Sequence, residues 1–346
     1  MFLRDVDPLR GTAVFTPMTE QSYRASSFLD NRIVRAGEKD VVADLDDLID
    51  LASRLSGQRR VIHYLFHVGH CGSTLVSRIL GERPCYLSLR EPPLLMGLSR
   101  SARALGHPGF PISRDRWESL RDLSLMTLAK TWRPGQRSLV KPTSHAGNLI
   151  PMLMRHTGQE RAIMLYTDLE THLVSMLRQH TRRETRLYGR DFRVREFSSL
   201  VPGSPETADA YEDGPLAAMS WLLQAREMVA ALDDPNIGPR CMLLHFDSFL
   251  ADPIHVTERI CRFLGPALAV EEKPLMDSAP WLSVAAKMPG QPFSVEDRRR
   301  ELAASRADNT ADLTAGVRWA AALAESGPFT GLTDRFPHAR AQPTPP

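Results

Sequence analysis

The stretch "FHVGHCGSTLVSRILG", residues 66–81, joins an apolar run, a glycine-flanked turn and a helix-like pattern. A turn from strand to helix presents several backbone N–H groups at the positive end of a helix dipole, and that arrangement binds phosphate without any side-chain charge. Gly69 and Gly72 let the backbone turn tightly and approach an anion, while Ser73 and Thr74 add hydroxyl donors. The plainer alternative is an ordinary strand-to-helix turn with a helix cap. The nucleotide-kinase pattern G-x-x-x-x-G-K-[ST] fails at two defining positions, because its first glycine falls on His67 and its lysine on Ser73. That lysine normally reaches the β- and γ-phosphates, so its absence argues against nucleoside-triphosphate chemistry. Asp247, closing "MLLHFD", resembles a magnesium-binding aspartate after an apolar strand, or is a common strand-end acid.

The elements that must hold this loop alternate. Apolar, β-rich runs at 61–68, 85–89, 138–141, 161–167 and 241–246 read as five strands. Helical patterns follow the loop and cover 115–131, 147–156, 170–179, 217–232 and 256–265. An earlier helix carries Leu45, Leu48, Ile49, Ala52 and Leu55 at helical spacing, with Asp44 as its cap. Strands alternating with helices predict an α/β fold, with a central, mostly parallel sheet of about five strands and helices on both faces. Residues 1–58 read as an N-terminal extension with a helix and 59–270 as the core. An arginine-rich insertion at 178–213 interrupts that core, as a solvated loop or a substrate lid. Residues 271–346 read as a C-terminal extension whose "AQPTPP" end is expected to be disordered.

Composition narrows the classes further. The chain has 346 residues, 42% hydrophobic content and a net charge of +2, so neither a nucleic-acid partner nor a concentrated basic stripe is expected. Cys71, Cys85, Cys241 and Cys261 are scattered, which argues against a disulfide framework or a zinc site. The start "MFLRDVDPLRGTAVF" lacks an apolar signal-peptide region, and no uncharged run reaches the length of a membrane span. A cytoplasmic protein is expected; oligomeric state is not readable.

The segment "GHCGSTLVSRIL" is similar to the 5′-phosphosulfate loop of sulfotransferases, commonly K/R-S-G-T-T-L/W, with His70 where the family has a cation and Gly72, Ser73 and Thr74 on G-T-T. "LREPPLL" places Glu91 where tyrosylprotein-type sulfotransferases carry a catalytic glutamate. "SLVKPTS" resembles their strand-end K-D-P and gives Lys141. "IMLYTDLETHLVSMLRQ" resembles the 3′-phosphate motif, with Thr167 in the arginine position and Ser175 on the motif serine. "LHFDSFLADPIHVTERICRFLG" resembles the closing segment. The motifs span about 60–270, in the layout of tyrosylprotein-type and bacterial members. The family's C-terminal R-K-G has only loose candidates, "KMPGQ" (287–291) and "RRR" (298–300).

The resemblance implies a P-loop NTPase-like three-layer sandwich and an enzyme that uses 3′-phosphoadenosine 5′-phosphosulfate, releases adenosine 3′,5′-bisphosphate and needs no metal. Its acceptor would be a small hydroxylated or amine metabolite, a glycan or a peptide. Glu91 is then the base, and Lys141 the cation for charge on the bridging oxygen. His70 assists if protonated, or donates a hydrogen bond if neutral. Gly69, His70, Cys71, Gly72, Ser73 and Thr74 line the 5′ end of the donor, and Thr167 and Ser175 the 3′ end. Because a threonine cannot replace a guanidinium, Arg178 is expected to compensate, with Arg182 or Arg183 next. Two rivals stand beside this reading: a P-loop kinase or NTPase using Asp247 and Mg²⁺, and a degenerate module that only binds a nucleotide or a protein.

Overall fold

The computed structural model describes residues 1–37, 39–55, 57, 59–179, 181–182, 190–265, 281–287 and 291–336. Near the start, β1 (Phe2–Asp7), β2 (Thr12–Thr16) and β3 (Val41–Asp44) form an antiparallel sheet in that order. Five later strands, β4 (Ile62–His67), β5 (Tyr86–Arg90), β6 (Arg137–Lys141), β7 (Ala162–Tyr166) and β8 (Cys241–His245), form a parallel sheet in the order β5-β6-β4-β7-β8. All five strands expected from the sequence are present and parallel. β4 lies in the middle of this sheet and every one of its residues is buried, as a parallel strand covered on both faces requires.

The helices Ser73–Gly81, Pro93–Ala104, Arg114–Leu128, Leu169–Met176, Asp213–Asp233 and Pro253–Leu264 connect or flank these strands, completing the expected three-layer α/β arrangement. β4 is flanked by β6 and β7 while the chain leaves it for the edge strand β5, so the order of connection reverses beside β4. Ligand crevices in open α/β sheets form at such a point, beyond the carboxyl ends of the strands.

Within the N-terminal extension, residues 1–40 supply β1, β2 and the short helix Glu20–Ala25, which is opened by a capping box between Thr19 and Ser22. Asp44 caps the helix Leu45–Arg54 as expected, accepting from the N–H groups of Asp46 and Asp47. The C-terminal extension contains two further helices, Val295–Asp308 and Thr310–Ala324. The second meets the helix Asp213–Asp233 where Gly316 and Gly214 touch: a Cβ on Gly316 would lie 2.6 Å from the Gly214 carbonyl oxygen. Within the arginine-rich insertion, Arg190–Leu200 is helical; Arg183 and Arg186 lie outside the described residues, as does the "AQPTPP" tail. No described helix is long and apolar enough to cross a membrane.

Candidate functional site

The loop leaves β4 at Val68, whose N–H extends the parallel ladder to the Leu165 carbonyl at 3.1 Å. Gly69 is tied down on both sides. Its N–H donates to Gln224 Oε1 at 2.7 Å, and its carbonyl accepts from His172 Nδ1 at 2.9 Å. Gly69 therefore anchors the loop. His70 and Gly72 adopt left-handed backbone, with φ of 58° and 85°. Gly72 is required twice over, because a Cβ there would also lie 2.1 Å from Phe246 Cζ. Among the described residues the amides of His70, Gly72, Ser73 and Thr74 have no backbone acceptor. They open the helix Ser73–Gly81, the condition for holding an anion at its N-terminus. The Cys71 thiol points into the core, 3.7 Å from the Leu165 carbonyl, and burial pushes its pKa up to about 12. It is an inert thiol, not a nucleophile.

Glu91 and Lys141 are brought together at the neighbouring strand ends. Arg90 pairs with Lys141 in the β5–β6 ladder, so Glu91 is the first residue beyond it. Its N–H donates to the Lys141 carbonyl at 2.7 Å and its carboxylate forms an ion pair with the Lys141 ammonium. The Lys141 side chain is 0% exposed, whereas Glu91 keeps 24% of its side chain open. Burial raises the Glu91 pKa, but the Lys141 ammonium outweighs it, with Lys287 adding, and the carboxyl rests below its usual value. Glu91 has φ of 53°. A non-glycine residue in that region stores about 1–3 kcal/mol, a cost found chiefly at functional sites.

Two features that sequence reasoning missed enclose this pair. His67 lies between the Val68 carbonyl (Nδ1, 2.9 Å) and the Pro142 carbonyl (Nε2, 3.1 Å), joining the ends of β4 and β6. Burial, then Lys141, push its pKa to about 3, so the ring is neutral and donates to one carbonyl. The N-terminal segment forms the other wall. Arg90, 2% exposed, donates to the carbonyls of Tyr23, Arg24 and Ser26. Arg78 donates to the Ser27 hydroxyl. These bonds set the Phe28 ring 5.6 Å from the Lys141 ammonium. No local signal announces them, since donors and acceptors are more than 50 residues apart in sequence.

His70 lies where burial, followed by Lys287, His172, Arg178 and Arg193, holds its pKa well below the usual histidine value. It is neutral at physiological pH. Lys287 shifts His70, Cys71 and Glu91 alike, so its charge bears on loop and pair together. Its segment is fixed to the loop helix: Arg78 Nε donates to the Ala286 carbonyl at 2.7 Å, and the Trp281 ring packs 4.5 Å from the Arg78 guanidinium.

The residues expected at the 3′ end lie differently. Thr167 is wholly buried; its hydroxyl has no partner among the described residues, and its carbonyl accepts from Trp221 Nε1 at 2.9 Å. Ser175 is buried in the helix Leu169–Met176. Arg178 pairs with Glu301 at 2.9 Å, and Arg182 with Asp312 at 2.7 Å and Asp213 at 3.2 Å. The C-terminal helices thus take up both arginines. Asp247 is paired with Arg298 at 3.0 Å.

No protein-family model matches the chain, and no curated protein matches it. Among solved structures it is similar to a sulfotransferase from Alicyclobacillus acidocaldarius at 19% identity, over 74% of this chain and 95% of that one, with a TM-score of 0.39. It is also similar to the sulfotransferase domain from the curacin biosynthetic pathway (14% identity, 72% and 97% covered, TM-score 0.36). A sulfotransferase from Mycobacterium avium is a third (14% identity, 76% and 84% covered, TM-score 0.39). These are members of the family whose motifs the sequence resembles. Likenesses at this level carry no chemistry, which rests on this chain's own residues.

Proposed function

We propose that the chain is a sulfotransferase that moves a sulfuryl group from 3′-phosphoadenosine 5′-phosphosulfate to a hydroxyl or amine acceptor. The observation that carries this reading is the Glu91–Lys141 pair beside a lysine-free anion loop. The residues fit the 5′ end of the donor: four amides without backbone acceptors among the described residues lead into a helix, and Ser73 stands where a nucleotide kinase carries its lysine. When bound, the donor supplies a sulfuryl group on a phosphate leaving group.

The chain's part is positioning and charge, as in phosphoryl transfer. The loop amides hold the anion. Glu91, partly open to its surroundings, takes the acceptor's proton on its carboxylate. Lys141, buried at the strand end, offers its ammonium to charge that grows as the bond to the leaving group breaks, an interaction stronger in the transition state than before it. The ion pair ties the two roles together. An anion on the loop competes with Glu91 for the ammonium, and as Lys141 turns toward it, the carboxylate loses its counter-ion and its proton affinity rises. A resting pair keeps the base weak until the donor is seated. Phe28 closes the Lys141 side and keeps water from the ammonium. Lys287 is the cation we assign to the position left by the family's missing C-terminal motif.

A non-catalytic nucleotide-binding module is the second reading, favoured by the pairing of Arg178 and Arg182 with carboxylates. The two are separated by mixing the purified chain with the donor and a panel of hydroxyl and amine acceptors in the presence of a chelator. Acceptor-dependent release of adenosine 3′,5′-bisphosphate is expected, and Glu91→Gln should lower it by about 10²–10⁴-fold. No release with any acceptor, with donor still bound, would favour the module.

A further inference from the structure

A second cleft opens at the opposite end of the sheet. It measures about 430 Å³ and is lined by Arg60, Thr131, Arg133, Gln136, Arg137 and Ser138, among others. Arg60 comes two residues before β4, and Arg137 and Ser138 open β6. The cleft therefore lies at the amino ends of the two strands whose carboxyl ends carry the loop and Lys141. The six residues of β4 separate the two places by about 20 Å at 3.3 Å per residue, so the cleft is no part of the site described above.

Two of its three arginines are uncompensated among the described residues. Arg133 is paired with Glu20 at 2.8 Å, but Arg60 and Arg137 have no carboxylate partner among the described residues. Arg137 Nη1 approaches His63 Nε2 at 3.4 Å, yet that contact is no hydrogen bond. His63 Nδ1 accepts the Arg161 N–H at 3.2 Å. Burial, then Arg137 and Arg161, hold the ring neutral with a pKa of about 4, so its one proton sits on Nε2 and faces the guanidinium donor to donor. Ser138, 1% exposed, likewise has a hydroxyl without a partner among the described residues. Guanidinium forks without acceptors, in a cleft of the size of small-molecule sites, match the oxygens of a phosphate or sulfate.

We infer that this cleft is a second anion site, taking a small molecule that carries a phosphate or sulfate group, with Arg60 and Arg137 as its principal ligands. The site needs no assumption about the chemistry at the loop.

The test is calorimetric titration of the full chain with inorganic pyrophosphate, alone and with adenosine 3′,5′-bisphosphate present at saturation to fill the loop. Pyrophosphate should still bind when the loop is filled, and Arg60→Gln/Arg137→Gln should weaken that binding at least tenfold, about 1.4 kcal/mol. The same variant should leave bisphosphate binding within about twofold. Arg60→Gln alone alters an exposed side chain and carries the test if the double variant does not fold. Unchanged pyrophosphate affinity in the variants overturns the cleft, as does wild-type binding weaker than about 1 mM. If bisphosphate fails to bind at all, the loop reading fails, and the variant comparison with pyrophosphate alone still decides the cleft.

Discussion

Glu91 and Lys141 stand 50 residues apart in the chain and meet as an ion pair one step beyond the β5–β6 ladder. Because Lys141 is fully buried, losing one partner strands the other. Glu91→Gln should cost about 3–5 kcal/mol of stability, the range for breaking a buried pair, because it leaves the Lys141 ammonium buried without a counter-ion. Glu91→Gln/Lys141→Met should recover much of it. Denaturant unfolding of the single and double variants measures the coupling; additive losses would mean that the pair is solvated and not held.

Gly72 and Phe246 offer a sharper test of the loop. Gly72→Ala places a methyl inside the Phe246 ring as it stands and also strains a left-handed residue by about 1 kcal/mol. It should abolish anion binding. Phe246→Ala added to Gly72→Ala should restore part of that binding, because the ring and not only the backbone forbids the methyl. Failure of the double variant to recover any binding would assign the whole effect to backbone strain.

The buried Arg90 guanidinium holds the N-terminal segment by three carbonyls. Arg90→Met leaves those acceptors unpaired, at about 1–3 kcal/mol for each that stays buried. The segment around Phe28 should then become a proteolysis site while the five-stranded sheet survives. Limited proteolysis followed by mass spectrometry reads this directly. An unchanged digestion pattern would show that Phe2 and Tyr23, which pack edge to face, suffice to hold the segment.

The five-stranded sheet was legible because its strands are continuous apolar runs punctuated by turns. The loop was legible because glycine spacing is a local signal. The N-terminal sheet was not: β1 alternates only partly, and its partner strands are read only once paired. "VEDRRRELAASRAD" carries no apolar stripe, and its helix is tied to the core through side chains, Arg298 on Asp247 and Ser305 on the Val174 carbonyl. The Gly69 anchor, Gln224, lies 155 residues away, and the capture of Arg178 by Glu301 spans 123. Arg178 looked available from helical spacing alone; the acid that meets it comes from a segment whose position no local pattern specifies.

Acid should unfold this protein from the histidines first. His63 and His172 are buried and neutral, each with a pKa near 4 and with burial as the leading cause. The unfolded chain takes up these protons near pH 6.5, so their contribution is constant above that pH and is lost as pH drops from about 6.5 to 4. Each residue contributes about 1.4 kcal/mol per pH unit in that window. Asp168 adds a later loss. Burial would raise its pKa, but His245 and Thr171 hold it at about 2, so its contribution disappears between about pH 4 and 2. Unfolding free energies across pH 4–8 should show this profile, with His63→Gln flattening its upper limb. The low pKa of His70 predicts, in addition, no step in activity between pH 6 and 8 from that residue.

The central claim, a donor loop that holds a 5′-phosphosulfate without a third phosphate or a metal, is tested most directly by one calorimetric comparison. Wild-type protein is titrated with adenosine 3′,5′-bisphosphate in a chelator and, separately, with ATP and Mg²⁺. The account predicts that the bisphosphate binds without metal at least tenfold more tightly than Mg·ATP, a gap of about 1.4 kcal/mol. Preference for Mg·ATP, or no binding of the bisphosphate, would contradict it.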